Sequence, residues 1–305
     1  MYESAPDWIW WNGTVTAWPQ ARLHVTSETA LRGINVFEGI RAYWQPGTER
    51  WAVIELESHL RRLANSAALM HIPVDRGLAE RMRAAIRDLV AVCGVPGTDL
   101  YLRPTVYVDN GRYTASATSM STGEFIACHR ADPSSDSTIR CVVSRWRRIP
   151  DSALPTRAKT GAAYTAFRQA RIEALDAGAE EAILLNTDGM VSETPGAAVF
   201  AVSDGVLVTP PLSDGLLEGI TRAAVIGLTE RELGLSVVEK SLTAENLHTA
   251  QEVFLAGTLD EVRVVSEIDG IPTPSSELGS CIRSAYVAMC RGTAPLLHQR
   301  FVEIL

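Results

Sequence analysis

The spacing of apolar residues changes along the first part of the chain, and the change separates predicted strands from predicted helices. Asn12-Gly13 lies between strand-forming residues and predicts a two-residue hairpin with a type I′ turn. Apolar, β-prone residues at 36–43 and 51–56 predict two more strands, joined by a turn at 45–48. Apolar positions then recur at helical spacing, which predicts helices at 58–70 and 78–92.

Strands at 99–108 and 124–128 complete a predicted sheet with helices packed against it. The next segment, residues 131–137, reads Ala-Asp-Pro-Ser-Ser-Asp-Ser and has the polar, Pro- and Ser-rich composition of a connector between domains. The sequence therefore predicts a small α/β domain at 1–130, a linker at 131–137 and a larger, strand-rich domain at 138–305.

The predicted second domain mixes strands and helices without regular alternation. Its predicted strands lie at 141–145, 182–185, 198–202, 206–209 and 253–256. Its predicted helices lie at 162–177, 221–233, 245–249 and 280–291. Because strands and helices do not alternate as they do in a parallel sheet, the sequence predicts an α+β fold.

Composition and charge exclude several classes of protein. The 305 residues are 46% hydrophobic and 21% charged, which is typical of a globular chain long enough for two domains. The net charge of −8 includes no basic run, which argues against nucleic acid as a partner. Five cysteines form no CxxC pair, so we expect reduced thiols and a cytoplasmic protein. We expect no secretion signal and no membrane span, since no apolar run approaches ~18 residues.

The segment Leu217-Glu218-Gly219-Ile220-Thr221-Arg222 precedes a predicted helix and is a candidate phosphate-binding segment. Glycine lets the backbone approach a ligand, Thr221 offers a hydroxyl, and the first N–H groups of a helix attract an anion. Gly257-Thr258 follows a predicted strand and offers a second hydroxyl and an exposed amide. The alternative is that Thr221 only caps the helix.

Lys159 is a candidate for forming an imine with an aldehyde cofactor. It ends a Pro-containing loop, just before a predicted helix that carries Tyr164. Its amine must be deprotonated to attack, and nearby positive charge favours that state. Glu193 is a candidate for keeping the pyridine nitrogen of such a cofactor protonated. The alternatives, a solvated lysine and an exposed glutamate, are the commoner cases.

Arginines within apolar strands of the predicted first domain indicate an anionic partner. Arg41 and Arg103 lie in β-prone runs where an unpaired charge is costly, and the alternative partner is an internal carboxylate, Glu38 or Glu55. The six histidines lack paired ligand spacing, so no metal site is expected. GxGxxG and GxxxxGK[ST] loops are absent, which argues against dinucleotide and Walker-type nucleotide binding.

Seven short motifs, taken in order, resemble the fold-type IV pyridoxal-phosphate enzymes, and most closely the branched-chain amino acid aminotransferases. They are VFEGIRAY at 36–43, HLRRL at 59–63, YLRP at 101–104, AKTG at 158–161 with Tyr164, SE at 192–193, LEGITR at 217–222 and AGT at 256–258. The resemblance covers nearly the full length. It implies a two-domain α+β fold and pyridoxal 5′-phosphate as the cofactor.

The resemblance also implies roles for single residues in cofactor binding. Lys159 would form the Schiff base with the cofactor and move the proton between the substrate Cα and the cofactor C4′. Tyr164 would bind the phenolic oxygen of the cofactor, and Glu193 its pyridinium N–H. The phosphate and ring would be held by Arg62, Leu217, Gly219, Ile220, Thr221, Gly257 and Thr258.

On the substrate side, the resemblance implies an amino acid and a 2-oxo acid such as 2-oxoglutarate, bound by an enzyme that is at least a homodimer. Arg103 matches an arginine that recognises the substrate carboxylate. The other expected substrate-side residues are Arg32, Phe37, Gly39, Arg41, Tyr101 and Leu259.

Three departures from the family pattern affect the expected substrate. Arg32 replaces an aromatic residue, Ala163 replaces an asparagine, and Ser192–Ala198 lacks polar residues that usually support the glutamate. We therefore expect transamination with a branched-chain or related L-amino acid, and Arg32 could favour an acidic keto acid. The alternatives are an aminodeoxychorismate lyase or a D-amino acid or (R)-amine aminotransferase of the same fold, and a non-catalytic cofactor-binding protein.

Overall fold

The structure is a computed structural model that describes residues 5–110, 119–132, 136–294 and 302–305. Contacts among its residues divide the chain into two compact units. The first comprises Met1–Pro133, Ala158–Ala162 and Cys290–Leu305, and the second comprises Ser134–Arg157 and Ala163–Met289. Residues 133–135 of the predicted linker lie outside the described residues, and the predicted domain boundaries remain predictions.

An antiparallel sheet, eight-stranded over the described residues, forms the first unit. Its strands are β1 (Trp8–Trp11), β2 (Thr14–Ala17), β3 (Asn35–Phe37), β4 (Ile40–Gln45), β5 (Arg50–Ile54), β6 (Leu100–Asn110), β7 (Ser121–Arg130) and β17 (Val302–Ile304). The order across the sheet is β17-β5-β4-β6-β7-β1-β2, and β3 also pairs with β6. The long strand β6 therefore places Tyr101 and Arg103 in the middle of the sheet.

The predicted Asn-Gly hairpin is confirmed. Trp11 pairs with Thr14 across the turn. Asn12 and Gly13 both have positive φ angles, 46° and 104°. A type I′ turn requires positive φ at both central residues, which is why this dipeptide favours it.

Two long helices cover one face of the sheet, and both were predicted. They are α2 (Leu56–Leu69) and α3 (Leu78–Cys93), preceded in the chain by the short α1 (Glu28–Arg32). Leu60 and Ile86 are fully buried and share one core with Ile40 and Leu102 of the sheet. Burial of each such side chain contributes about 1.5–3 kcal/mol.

The opposite face of the sheet presents the residues of functional interest. Ile40 and Leu102 point into the core beneath the helices. Since side chains alternate along a strand, Arg41, Tyr101 and Arg103 point to the other face. Arg41 and Tyr101 lie directly opposite each other in the β4–β6 ladder.

The predicted strand 36–43 is interrupted at Glu38-Gly39, so it forms β3 and β4 instead of one strand. The N–H of Phe37 donates to the carbonyl of Lys159. A Cβ on Gly39 would lie 2.6 Å from Tyr101 Oη. A side chain at this position would therefore displace the tyrosine ring.

The second unit is built on a sheet that is nine-stranded over the described residues. Its strands are β8 (Ile139–Arg147), β9 (Glu181–Leu185), β10 (Val191–Glu193), β11 (Ala198–Ser203), β12 (Val206–Thr209), β13 (Val237–Glu239), β14 (Glu252–Gly257), β15 (Glu261–Ile268) and β16 (Ile271–Pro272). The order is β10-β9-β8-β15-β14-β11-β12-β13, with β16 beside β15. Because β10 pairs with both β9 and β11, the strands from β10 to β11 close into a ring of pairings.

The remaining helices are α4 (Tyr164–Asp176), α5 (Ile220–Glu232), α6 (Ala244–His248) and α7 (Glu277–Cys290). Parallel and antiparallel pairs are mixed in the second sheet. This confirms the predicted α+β class. Within the described part of the chain, no helix has both the length and the apolar character needed to cross a membrane.

Candidate active site

Lys159 is half-buried, and its backbone is held on both sides. Its N–H donates to Ser66 Oγ at 3.0 Å, and its carbonyl accepts from the N–H of Phe37 at 3.0 Å. The next residue, Thr160, pairs with Val36 in an antiparallel bridge. The lysine is thereby fixed beside β3, although more than 120 residues separate the two in the sequence.

The Phe37 ring lies against two cations. Lys159 Nζ is 5.1 Å from the ring centre, and the guanidinium carbon of Arg103 is 3.8 Å from it. Cations over an aromatic face are attracted by its quadrupole. Among the described residues, the half-buried Arg103 guanidinium makes no hydrogen bond or ion pair with the protein. Its donors are therefore available to an anion.

Arg62 is held by the fully buried Glu38. Arg62 Nε and Nη2 each donate to one oxygen of the Glu38 carboxylate at 2.7 Å, and His59 Nδ1 lies 2.7 Å from Oε2. Burial raises the pKa of Glu38, but the charge of Arg62 and the hydrogen bonds from Arg62 and His59 outweigh it and lower that pKa to about 2. The carboxylate is therefore ionised at neutral pH and orients the guanidinium.

His59 completes this cluster as a neutral ring. Burial lowers its pKa, Glu38 opposes that effect, and the charges of Arg62 and Lys159 lower the pKa further. A neutral imidazole donates from only one nitrogen, so Nδ1–H donates to Glu38. Glu38, which the sequence analysis considered as a partner for Arg41 or Arg103, binds Arg62 instead.

Arg41 is buried and forms an ion pair with Asp99. Its Nη2 donates to Asp99 Oδ2 at 3.0 Å and to the carbonyl of Asp132 at 2.7 Å. Asp99 also binds Arg291 through both carboxylate oxygens, at 2.6 and 2.7 Å. The internal partner proposed for Arg41, Glu38 or Glu55, was therefore wrong. The role of Arg41 toward a substrate remains a prediction.

Arg32 ends α1 and pairs with Glu28 one turn earlier. Its Nη1 donates to both oxygens of the buried Glu28 carboxylate, at 2.9 and 2.7 Å, while its own side chain is 43% exposed. A partly exposed pair of this kind is screened by water. Glu28 nevertheless offsets the positive charge that Arg32 would present to an acidic substrate.

In the second unit, Glu193 ends β10 as a buried carboxylate with two fixed contacts. Oε1 accepts from Arg148 Nε at 2.5 Å, and Oε2 accepts from the N–H of Leu217 at 3.1 Å. Each carboxylate oxygen has a further lone pair, so Glu193 can accept one more hydrogen bond. The exposed glutamate considered in the sequence analysis is excluded.

Tyr164 is the first residue of α4, and its ring packs edge-on against Phe167. The ring centres are 5.2 Å apart with an interplanar angle of 81°. The Phe167 ring lies in turn against Arg148, 5.0 Å from the guanidinium carbon. Leu217, whose N–H binds Glu193, lies three residues before the start of α5 and is half-buried.

The N-terminus of α5 carries no side-chain cap. Gly219 is the N-cap residue and has extended backbone angles, so the alternative that Thr221 caps the helix was wrong. Thr221 instead lies in the first turn of the 13-residue helix and is buried. The first N–H groups of α5, from Ile220 onward, are thus not bound by a capping side chain and can bind an anion.

Thr258 and Leu259 follow β14 directly. Thr258 is half-buried and Leu259 is 57% exposed. A Cβ on Gly257 would lie 2.5 Å from the carbonyl of Gly196. Gly257 is therefore required for backbone packing, in addition to any role in cofactor binding.

Arg148, the partner of Glu193, was not among the site residues predicted from the sequence. It ends the run Arg145-Trp146-Arg147-Arg148, in which Arg145 and Arg147 are exposed and Arg148 is buried. Nothing in that run distinguishes the buried arginine from the others. The pairing with Glu193 spans 45 residues and arises only in the fold.

The residues present suit a cofactor with an aldehyde, a basic ring nitrogen and a phosphate. Lys159 supplies an amine on a fixed backbone, and Glu193 supplies a buried anion with unused lone pairs. The uncapped start of α5 supplies N–H donors for a phosphate.

Comparison with known proteins gives a consistent result. The family model for class IV amino-transferases matches residues 35–268. A branched-chain-amino-acid aminotransferase of Salmonella typhimurium is 36% identical over 285 residues, covering 92% of this chain and 90% of that protein. A probable branched-chain-amino-acid aminotransferase of Aquifex aeolicus is 33% identical over 275 residues, covering 90% and 88%.

Solved structures agree with the sequence matches. The branched-chain aminotransferase of Thermoproteus uzoniensis with norvaline has a TM-score of 0.91 at 33% identity, covering 99% of each chain. The Thermobaculum terrenum branched-chain amino acid aminotransferase in its PLP form has a TM-score of 0.92 at 30% identity, again covering 99% of each chain. The resemblance inferred from the seven motifs is confirmed.

Proposed function

The chain belongs to the class IV aminotransferases and is a pyridoxal-phosphate enzyme that transfers amino groups, and we propose that its amino donors are branched-chain or related L-amino acids. The acceptor is a 2-oxo acid such as 2-oxoglutarate. One observation carries this proposal: the amine of Lys159 and the guanidinium of Arg103 both lie against the Phe37 ring. The reacting group and a carboxylate-binding group thus contact the same side chain.

Lys159 is the proposed catalytic residue. When bound, pyridoxal phosphate withdraws electrons from the substrate and makes removal of its α-proton feasible. Lys159 Nζ would accept the proton from the substrate Cα and return it to the cofactor C4′. Hydrogen bonds hold the Lys159 backbone on both sides, so its side chain alone would move during this transfer.

Glu193 and Tyr164 are proposed to bind the cofactor ring. The Glu193 carboxylate would accept from the ring N–H and favour protonation of that nitrogen. The Tyr164 hydroxyl donates to the phenolic oxygen, and Leu217 packs against the ring. Both contacts favour the charge distribution on which proton removal at Cα depends.

The phosphate is proposed to bind at the start of α5. The backbone N–H groups of Ile220 and Thr221 and the Thr221 hydroxyl donate to it, joined by the Thr258 hydroxyl and the Arg62 guanidinium. Gly219 and Gly257 allow the backbone to approach the oxygens. Glu38 holds Arg62 in one orientation for this contact.

The substrate carboxylate is proposed to bind Arg103, because that guanidinium has donors left and a carboxylate accepts two of them at once. Leu259 is exposed and offers apolar surface to the substrate side chain. Phe37 and Tyr101 are buried, and the absence of a side chain on Gly39 leaves room for Tyr101. Arg41 and Arg32 act nearby, but both are already paired with carboxylates. Apolar surface favours a donor such as leucine over an acidic one.

A donor screen tests the proposed substrate. The holoenzyme is assayed with L-leucine and L-phenylalanine against 2-oxoglutarate, and with L-glutamate against 4-methyl-2-oxopentanoate. We expect the highest kcat/KM with leucine. Activity with D-amino acids alone, or elimination without glutamate formation, would replace the proposal with the same-fold alternatives. A cofactor spectrum unchanged by every donor would indicate a non-catalytic protein.

The variant R32Y tests the departure at the end of α1. If Arg32 favours an acidic keto acid, replacing it with the family's common tyrosine raises the ratio of leucine to glutamate activity. An unchanged ratio would assign Arg32 only to its pair with Glu28.

We further propose a cytoplasmic homodimer. The free thiols of all five cysteines and the assembly usual for the family support this. Light scattering of the purified protein and cell fractionation test the two statements. A monomer, or a protein recovered outside the cytoplasm, would contradict them.

A further inference from the structure

Arg148 is a buried arginine of the second unit, and its side chain binds a carboxylate and a backbone carbonyl. Its Nε donates to Glu193 Oε1 at 2.5 Å and its Nη2 to the carbonyl of Thr156 at 3.2 Å. Its Nη1 is buried and has no hydrogen-bond partner among the described residues. A buried cation is costly unless an anion compensates it, so Arg148 and Glu193 stabilise each other.

An aromatic contact fixes the guanidinium from the other side. Phe167 of α4 lies 5.0 Å from the Arg148 guanidinium carbon, and the Tyr164 ring packs edge-on against Phe167. A continuous set of contacts thus joins Tyr164, Phe167, Arg148 and Glu193. The residues at its two ends are those proposed to bind the cofactor's phenolic oxygen and ring nitrogen.

We propose that Arg148 is a positioning residue for amino transfer, an inference that rests on the proposed role of Glu193. Arg148 places a positive charge against the buried Glu193 carboxylate and, together with the N–H of Leu217, fixes its rotation. It acts through Glu193 and touches neither the substrate nor the reacting atoms.

The charge of Arg148 has a chemical consequence at the ring nitrogen. A buried carboxylate without a counterion favours its neutral acid form. A neutral acid does not stabilise positive charge on the ring nitrogen, so electron withdrawal from the substrate weakens. Lysine keeps the charge but lacks the planar set of donors that binds Glu193 and Thr156 together.

The test compares holoenzymes of wild type, R148Q, R148K, E193Q and the double variant R148Q/E193Q. R145Q is the matched control, because Arg145 lies only three residues before Arg148, in β8, with a side chain that is 78% exposed. Three quantities are measured: the dissociation constant of pyridoxal phosphate, the absorption spectrum of the bound cofactor against pH, and the rate of the leucine half-reaction against pH.

We expect R145Q to match the wild type. R148Q should weaken cofactor binding and slow the half-reaction by about 10- to 100-fold, the usual range for a hydrogen bond to a charged group. The acidic limb of its pH profile, measured by the rate and by the cofactor spectrum, should move to higher pH. R148K should have the same acidic limb in its pH profile as the wild type but should bind the cofactor more weakly. Because Arg148 acts through Glu193, the double variant should be no worse than E193Q.

The inference is overturned if R148Q matches R145Q, or if the losses in R148Q and E193Q multiply in the double variant. If E193Q itself changes neither affinity nor spectrum, the proposed role of Glu193 fails and the inference fails with it. Should R148Q not fold, R148K decides the question. A weaker affinity with an unchanged acidic limb supports the inference, and any other result overturns it.

Discussion

Replacing Glu38 with glutamine should destabilise the first unit by an amount that depends on pH. Glu38 is fully buried and holds both Arg62 and His59. Its pKa is lowered from 4.5 to about 2, against the opposing effect of burial. Since a tenfold change in proton affinity is about 1.4 kcal/mol, this lowering corresponds to about 3 kcal/mol of stability.

The sign of the pH dependence follows from the lowered pKa. The stabilising contribution is fully present above pH 4.5 and is lost as the pH falls through the folded-state value of about 2. We therefore expect E38Q to cost about 3 kcal/mol at pH 7 and about 1 kcal/mol at pH 3. Weaker cofactor binding should accompany the loss, because Arg62 is no longer oriented.

Urea unfolding of the apoprotein at pH 7 and pH 3 measures this difference without a contribution from the cofactor. E57Q is the control, because Glu57 lies on α2 like His59 and Arg62 but is exposed and, among the described residues, pairs with Arg83 alone. We expect E57Q to lie within about 0.5 kcal/mol of the wild type. An E38Q variant as stable as E57Q, or a cost that does not fall between the two pH values, would refute the assigned role of Glu38.

Two other variants test the face of the first sheet that lies opposite the helices and carries Tyr101 and Arg103. R103Q should lower kcat/KM for every amino donor by about 10- to 100-fold, because it removes a charged hydrogen-bond donor to the carboxylate that all the substrates share. Steady-state assays check this. The control is R130Q, which changes an exposed arginine on β7 and should have no effect. G39A places a Cβ about 2.6 Å from Tyr101 Oη and should cost about 1–3 kcal/mol in thermal unfolding. Y101F should restore part of that stability in the double variant; no restoration would show that the hydroxyl is not the clashing atom.

Local signals made part of the fold predictable. The Asn12-Gly13 hairpin depends on two adjacent residues, and the two long helices depend on apolar spacing within one segment. The division of strand 36–43 was not predictable, because the carbonyl of Lys159 and the ring of Tyr101 cause it from distant positions. Short strands such as Val191–Glu193 were missed, since three residues carry no usable periodicity. Glu261–Ile268 was also missed, because charged residues interrupt its apolar run.

The candidate site, like the fold, was predictable from sequence only in part. The residues matching family motifs were identified from sequence, because those motifs are contiguous. Their partners were not: Asp99 lies 58 residues from Arg41, and Arg148 lies 45 residues from Glu193. Ion pairs of this kind depend on which side chains the fold buries together, and an exposed neighbour such as Arg145 looks the same in the sequence.

The central claim is that the amine of Lys159 carries the cofactor, and the chain allows a direct test because it contains one other lysine, Lys240. The holoenzyme is reduced with borohydride, digested and mapped by mass spectrometry, with K240R as the control variant. We predict a pyridoxyl group on Lys159 in the wild type and in K240R. A pyridoxyl group on Lys240, or on neither lysine, would contradict the account.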